Sequence, residues 1–243
     1  MRTTAVLIRA TLLALALAGC SDSRSEAPAG SSTTAGPPAA AGSIAVRVTY
    51  AGPPDIETLR INKDVEQCGR EARIARILVG GGHGLAHAVA SVAGLDGPPA
   101  THAAQLDQKG CEFRPHVVAM RTGEIEIRNS DGILHNIHTY STVNTPINKA
   151  QPGFKKVMTE TFGKPEVIKI TCDVHSWMLG WLVVMPHRHF GVTDERGAAR
   201  IDGVPVGTHT VEVWHETLGK LAKDVTVKPD ATTDVAFEFV KGG

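Results

Sequence analysis

The 243-residue sequence lacks several features that would assign it to a familiar functional class. It has no net charge at pH 7, with 25 basic and 25 acidic side chains, so neither a nucleic-acid-binding surface nor a highly charged disordered tail is indicated. No Cys-x-x-Cys-His segment is present, which argues against an attached c-type haem. The glycines at 80–84 are not followed by the Lys-Ser/Thr pair of a phosphate-binding loop. These absences leave short strand-like segments and a few cysteines and histidines as the informative signals.

The beginning of the chain differs in composition from the rest. A basic residue precedes an apolar run at residues 5–18, which is the layout of a signal peptide and is short for a membrane span. The run ends in Leu-Ala-Gly before Cys20 and resembles a bacterial lipobox, which implies cleavage before Cys20 and acylation of its thiol. The alternative is an ordinary secreted protein that is cut nearby, with Cys20 incidental.

Residues 20–42 are mostly Ser, Ala, Gly, Pro and Thr and predict a flexible linker after a signal peptide at residues 1–19. The expected product is an exported lipoprotein in the periplasm or at the cell surface. Its contact with the membrane would be the lipid anchor alone.

The sequence has four cysteines, and thiols outside the cytoplasm tend to pair. Setting aside Cys20 leaves Cys68, Cys111 and Cys172, one of which must stay unpaired. Cys172 has His and Met neighbours that suit a metal ion, whereas Cys68 and Cys111 lie in polar, loop-like surroundings. We therefore predict a disulfide bond between Cys68 and Cys111.

Strand-length segments dominate the chain after residue 42. They alternate polar and apolar residues or form short bursts rich in Val, Ile and Thr, bounded by Gly, Pro or Asp. One short helix over residues 64–75 is the expected exception, since no segment keeps a helical period over three turns. The fold class is predicted to be all-β, either a sandwich or a barrel. The clearest strand segments are residues 43–50, 85–95, 123–128, 166–171, 180–185, 208–214 and 234–240.

The strand pattern indicates two modules. The first two segments look like the opening strands of a carboxypeptidase-regulatory-like, transthyretin-like β-sandwich. That family's Thr-Asp-x-x-Gly turn is matched only from Thr193, and its Pro/Gly turn at residues 205–207. The residues between would form a separate module, inserted at a surface turn whose ends lie close together. The predicted boundaries are 43–99 plus 189–240 for the first sandwich and 100–188 for the inserted module.

The inserted module carries a metal-binding pattern. Cys172, His175 and Met178 follow one another at intervals of three residues, on a tight loop between two predicted strands. Thiolate, imidazole and thioether together select copper over hard cations, and a trigonal copper site requires one more histidine. His135 is the candidate, because it follows a strand and an Asn/Asp turn.

These two segments resemble the copper motif of the cupredoxins, and the short-looped amicyanins in particular. The turn with His135-Asn136 is similar to the first half of that motif, and Cys-x-x-His-x-x-Met followed by Gly-x-Val-Val is similar to the second half. The resemblance implies a cupredoxin-like Greek-key sandwich with one type 1 copper bound by His135, Cys172, His175 and Met178. It also implies that Asn136 hydrogen-bonds to the loop that carries the cysteine.

A type 1 site with four protein ligands has no open coordination position, so an electron-transfer protein rather than an enzyme is expected. In cupredoxins the outer edge of the loop histidine faces the surface. We therefore expect His175 to be surrounded by Trp177, Leu179 and Trp181, which would form an apolar face for a transient redox partner.

Several alternatives stay open at this point. The protein is either an electron carrier or a copper-binding lipoprotein for storage, delivery or sensing, and a structural or interaction role for the sandwich is a third hypothesis. The ligand candidates are otherwise packing residues, or ligands of another metal, although zinc would typically bring a second Cys or a third His. His116 and His138 are either exposed strand histidines, outer partners of the copper or parts of a second site.

Overall fold

The computed structural model describes residues 40–240. The expectations for the signal peptide at residues 1–19, for Cys20 and for nearly all of the linker lie outside those residues. No helix in the described range is long and apolar enough to cross a membrane.

The described chain consists mainly of short strands, which confirms the all-β class. The helical elements are one turn, α1 (Val65–Cys68), and a 3-10 turn at Gly81–His83. In chain order the strands are β1 (Ala41–Tyr50), β2 (Asp55–Arg60), β3 (Glu71–Ile77), β4 (Val89–Val92), β5 (Ala104–Gln108), β6 (Phe113–Arg114), β7 (Val117–Arg121), β8 (Gly123–Asn129), β9 (His135–Thr139), β10 (Asn148–Gln151), β11 (Val157–Phe162), β12 (Glu166–Thr171), β13 (Leu179–Met185), β14 (Phe190–Val192), β15 (Ala198–Pro205), β16 (Gly207–His215), β17 (Gly219–Val227) and β18 (Thr232–Phe239).

A first sandwich is formed by strands from both ends of the described chain. One sheet has the order β15-β1-β18 and the other β14-β4-β16-β17. Alternate residues of β1 point inward, as the period of two requires, and they pack against apolar side chains of the second sheet. The shared core includes Ile44, Val46, Val48, Ala90, Val92, Val211, Val213, Val227, Phe237 and Phe239.

A second sandwich is formed by the strands in the middle of the chain. Its sheets have the orders β10-β9-β12-β13-β7 and β11-β8-β5-β6. The chain leaves the first sandwich after β4 and re-enters it at β14, which pairs antiparallel with β4. The exit and entry points of the middle segment are therefore adjacent. The core of this sandwich includes Leu106, Phe113, Ile125, Ile127, Ile137, Phe162, Ile168, Ile170 and Leu182.

The predicted helix over residues 64–75 is largely wrong. Only the single turn α1 is helical, and residues 71–77 form β3, which pairs antiparallel with β2. The pattern of polar and apolar residues in Glu-Ala-Arg-Ile-Ala-Arg-Ile is compatible with a paired strand as well as with a helix. Pairing with β2 favours the strand. Residues 61–70, hereafter the cap loop, therefore connect the two strands of a hairpin, and this loop contacts the second sandwich.

The turn that begins at Thr193 is held by its aspartate. Asp194 Oδ1 accepts the backbone N–H groups of Arg196 and Ala198, both at 2.9 Å. Gly197 has φ +73°, a left-handed conformation that favours glycine, and its carbonyl accepts the N–H of Val48 at 2.7 Å. The turn is thereby fixed onto β1.

Candidate metal centre

The loop with the predicted ligands closes tightly between two paired strands. Thr171 at the end of β12 lies opposite Leu179 at the start of β13, so residues 172–178 must turn back within seven residues. The N–H of Met178 donates to the carbonyl of His175 at 3.0 Å inside this turn. Cys172, His175 and Met178 are all buried.

The fourth predicted ligand approaches from a neighbouring strand. His135 begins β9, which lies between β10 and β12 in the same sheet. Its Nδ1 is 3.0 Å from Nδ1 of His175 and 4.0 Å from Sγ of Cys172, and that sulfur is 3.8 Å from Nδ1 of His175. The structure therefore brings two ring nitrogens and a thiol together in the core of the second sandwich.

Both histidine rings have a carboxylate on their outer nitrogen. Nε2 of His135 is 2.9 Å from Asp131, and Nε2 of His175 is 2.8 Å from Asp64 in the cap loop. A ring that carries one proton donates it from Nε2 to the carboxylate in this arrangement, which leaves a lone pair on the facing Nδ1 atom. Burial, with the nearby ring of His175, lowers the pKa of His135 despite the opposing effect of Asp131, so this ring stays neutral and able to bind a metal.

Asp131 is itself held firmly. It accepts the backbone N–H groups of Gly110 at 2.6 Å and Cys111 at 2.8 Å. Burial raises the pKa of this carboxyl, but the two N–H groups and His135 together bring it below its ordinary value. The outer side of His135 therefore faces a fixed negative charge.

The donor set fits a copper ion. Two imidazole Nδ1 atoms and a free thiol, with all three side chains buried, offer the soft trigonal ligands that copper prefers. Met178 lies in the same buried cluster as Cys172. Cys172 is the one free cysteine among residues 40–240, so these three atoms bring no second thiolate of the kind a structural zinc site usually has.

Asn136 lies against the same loop. Its Oδ1 accepts the backbone N–H of Asp173 at 2.5 Å, and its Nδ2 donates to Asn148 Oδ1 at 2.6 Å. This amide ties β9 to the residue directly after Cys172, and Asn148 in turn binds the Asp173 carboxylate at 2.7 Å.

The expectation of an exposed His175 edge is wrong. The side chain of His175 is 0% exposed: Asp64 lies on its outer nitrogen, and the Cys68–Cys111 disulfide and the Trp177 ring lie beside it. Trp177 donates its Nε1–H to the carbonyl of Cys111 at 3.2 Å, and Trp181 donates its indole N–H to Glu216 of the first sandwich. Trp177, Leu179 and Trp181 are each partly buried and do not form an open apolar patch around the histidine.

Cys68 and Cys111 form a disulfide bond in the structure. Their sulfur atoms and a ring nitrogen of His175 all lie within 4.8 Å of one another. The disulfide therefore joins the cap loop to the second sandwich directly beside the ligand cluster.

His116 and His138 lie outside the ligand cluster. His138 Nδ1 is 3.0 Å from Asp173, and its ring stacks on Tyr140. His116 contacts Glu216, whose side chain is 5% exposed, at the junction of the two sandwiches. These histidines hold loops and modules together in this structure.

Sequence reasoning missed the two carboxylates on the ligand histidines. Asp131 lies in the Asn/Asp turn already noted, four residues before His135, so local spacing could have indicated it. Asp64 is 111 residues from His175 and has no such signal.

Comparisons with known proteins find similarity among solved structures only. No family model and no curated protein matches the chain. A copper-containing nitrite reductase from Thermus scotoductus is 20% identical with a TM-score of 0.33, over 39% of this chain and 25% of the other. The chain therefore spans about a quarter of that enzyme. A purple cupredoxin from Nitrosopumilus maritimus is 20% identical with a TM-score of 0.29, over 34% of this chain and 99% of the other. A reduced mutant of amicyanin is 18% identical with a TM-score of 0.32, over 40% and 98%.

Proposed function

We propose that the protein is a type 1 copper protein of the bacterial cell envelope that acts in electron transfer. The observation that carries the proposal is the convergence of His135 Nδ1, His175 Nδ1 and Cys172 Sγ within 4.0 Å of one another. Met178, buried in the same core, is the proposed axial ligand. Copper in such a site supplies a one-electron couple.

The protein groups around these donors support a rigid site. His135 and His175 are fixed by carboxylates on their outer nitrogens, and the loop after Cys172 is fixed by Asn136. Ligands that cannot move favour fast electron transfer, because little reorganisation accompanies the change of charge. The four-ligand set leaves no position for a substrate, so we propose no catalysis at the metal.

The envelope assignment depends on the beginning of the sequence. The apolar run at residues 5–18 and the lipobox-like Leu-Ala-Gly-Cys ending support export and a lipid anchor at Cys20. The Cys68–Cys111 disulfide is typical of an oxidising compartment. A transient redox protein is the proposed partner.

One observation favours a second candidate function. The ring of His175, through which a partner would exchange electrons most directly, is fully covered. A covered site suits copper storage, delivery or sensing without turnover. Repeated reduction and reoxidation of the copper-loaded protein distinguishes the two functions. A carrier retains its copper through these cycles, whereas a store or delivery protein releases copper on reduction or in exchange with a chelator.

Copper loading of the purified mature protein tests the metal centre. One equivalent of Cu(II) should give the intense visible absorption of a copper–thiolate bond, and this colour should disappear on one-electron reduction. Cys172→Ser should remove the colour, and His135→Gln should weaken copper binding. The matched control is His102→Gln, because His102 is an exposed histidine outside the cluster.

Two results would overturn the proposal. One is a wild-type Cu(II) form without strong visible absorption. The other is a Cys172→Ser variant that keeps the wild-type colour.

A further inference from the structure

The cap loop covers the outer side of the ligand cluster. Asp64 lies just before α1, in a left-handed conformation with φ +50°, which Asp tolerates better than most residues. Its carbonyl accepts the N–H groups of Gln67 and Cys68, and its side chain reaches Nε2 of His175 at 2.8 Å. The His175 side chain is 0% exposed and that of Asp64 is 37% exposed. Asp64 therefore lies between Nε2 of this ring and the solvent.

The same loop is fastened at two further points. Cys68 is joined to Cys111 by the disulfide, and Gln67 Nε2 donates to Asp131 at 3.2 Å. Asp131 is the residue that holds the other ligand ring, that of His135. The cap loop of the β2–β3 hairpin thus supplies the outer partner of His175 and contacts that of His135, and a covalent bond keeps it there.

We propose that Asp64 is a positioning residue of the metal centre, held in place by the disulfide-fastened cap loop. This inference rests on the proposed function. The carboxylate fixes the proton of His175 on Nε2 and the orientation of the ring, and it makes Nδ1 a stronger donor. It also adds a negative charge near the metal, as Asp131 does from the side of His135, and negative charge favours Cu(II) over Cu(I).

Two substitutions of Asp64 distinguish the effect of its charge from the effect of its contact with His175. Asp64→Asn keeps the shape of the side chain but removes the charge. It should shift the equilibrium between Cu(II) and Cu(I) toward Cu(I) by about tenfold, which raises the reduction potential of this one-electron couple by about 59 mV. Asp64→Ala removes the contact, and it should lower Cu(II) affinity by about 10- to 100-fold. The matched control is Glu66→Gln, because Glu66 is an exposed acid in α1 whose side chain makes no hydrogen bond within residues 40–240.

A measurement on the metal-free protein tests the contact between Asp64 and His175 without depending on copper binding. In the metal-free protein, the Nε2 proton of His175 should exchange with solvent at least about tenfold faster in Asp64→Ala than in the wild type, followed by NMR. Glu66→Gln should exchange at the wild-type rate. Asp64 is on an exposed loop, so these variants should fold, and a thermal melt checks that they do.

The outcomes are distinct. If both Asp64 variants match Glu66→Gln in reduction potential, copper affinity and proton exchange, the positioning role is wrong. If the wild type shows no copper–thiolate colour, the proposed function is wrong, and the exchange rates alone then decide whether Asp64 holds His175.

Discussion

Removing the Cys68–Cys111 disulfide should destabilise the folded protein substantially. The two cysteines are 43 residues apart, and the chain-entropy relation for a loop of that length gives about 13 cal/mol/K. At 25 °C this corresponds to about 4 kcal/mol of the free energy of unfolding. For a domain of this size the melting temperature should fall by about 8–16 °C. The perturbation is the double variant Cys68→Ala/Cys111→Ala.

The assay is urea unfolding of the metal-free protein, because bound copper would add its own stabilisation. Part of any loss comes from removing the buried sulfur of Cys111 and not from opening the cross-link. Cys172→Ala is the matched control, since Cys172 and Cys111 are each 1% exposed and Cys172 is not cross-linked. This control should lose only about 1 kcal/mol.

The comparison of the two variants decides whether the reasoning holds. A double variant that unfolds within 1 kcal/mol of the control would refute it. The m-value gives a further check, because loss of a cross-link exposes more of the unfolded chain to urea and should raise it.

Two further predictions concern the rest of the molecule. The free energy of unfolding should decrease as the pH falls from 6.5 to about 4, because burial lowers the pKa of His215 to about 4. The unfolded chain binds the proton at a higher pH than the folded protein does, so acid favours unfolding in this range. His215→Gln should make the pH dependence less steep, as measured by urea unfolding. Gly197→Ala should cost at least about 2 kcal/mol in thermal unfolding, because a Cβ there would lie 2.0 Å from the carbonyl oxygen of Val48 at a positive φ, whereas Gly163→Ala, with nothing within 4 Å, should be close to neutral. Because burial also lowers the pKa of His87 to about 4, part of the acid loss should remain in His215→Gln, and a loss as steep as that of the wild type would contradict the first expectation. Equal melting temperatures for the two glycine variants would contradict the second.

The sequence predicted much of the fold because short-range signals dominate it. The strands at residues 123–128, 166–171 and 180–185 are bounded by Gly, Pro or polar turns, and the structure has strands at Gly123–Asn129, Glu166–Thr171 and Leu179–Met185. Residues 64–75 contain one boundary residue, Gly69, which ends α1 with φ +82°, but a glycine does not indicate which structure follows it. Their structure depends on pairing with β2, and no local propensity encodes that pairing.

The candidate site likewise contains residues that local sequence indicates and residues that only the fold brings together. Cys172, His175 and Met178 are tied together by covalent spacing on one loop, so residue types and intervals were enough to nominate them. His135 needed a second local motif. The surroundings of the site come from elsewhere: Asp64 reaches His175 across 111 residues of sequence, and only the folded hairpin brings them together.

This division explains why the exposure of His175 was predicted wrongly. The group on the outer nitrogen of His175 is Asp64, which is distant in sequence from the ligand loop. This group belongs to the β2–β3 hairpin, whose cap loop contacts the second sandwich at Asp64, Gln67 and Cys68. These contacts are to His175, to Asp131, which is the carboxylate partner of His135, and to Cys111 beside the ligand cluster, so the hairpin is part of the environment of the metal centre. The covering of His175 is consequently a property of the hairpin and the second sandwich together.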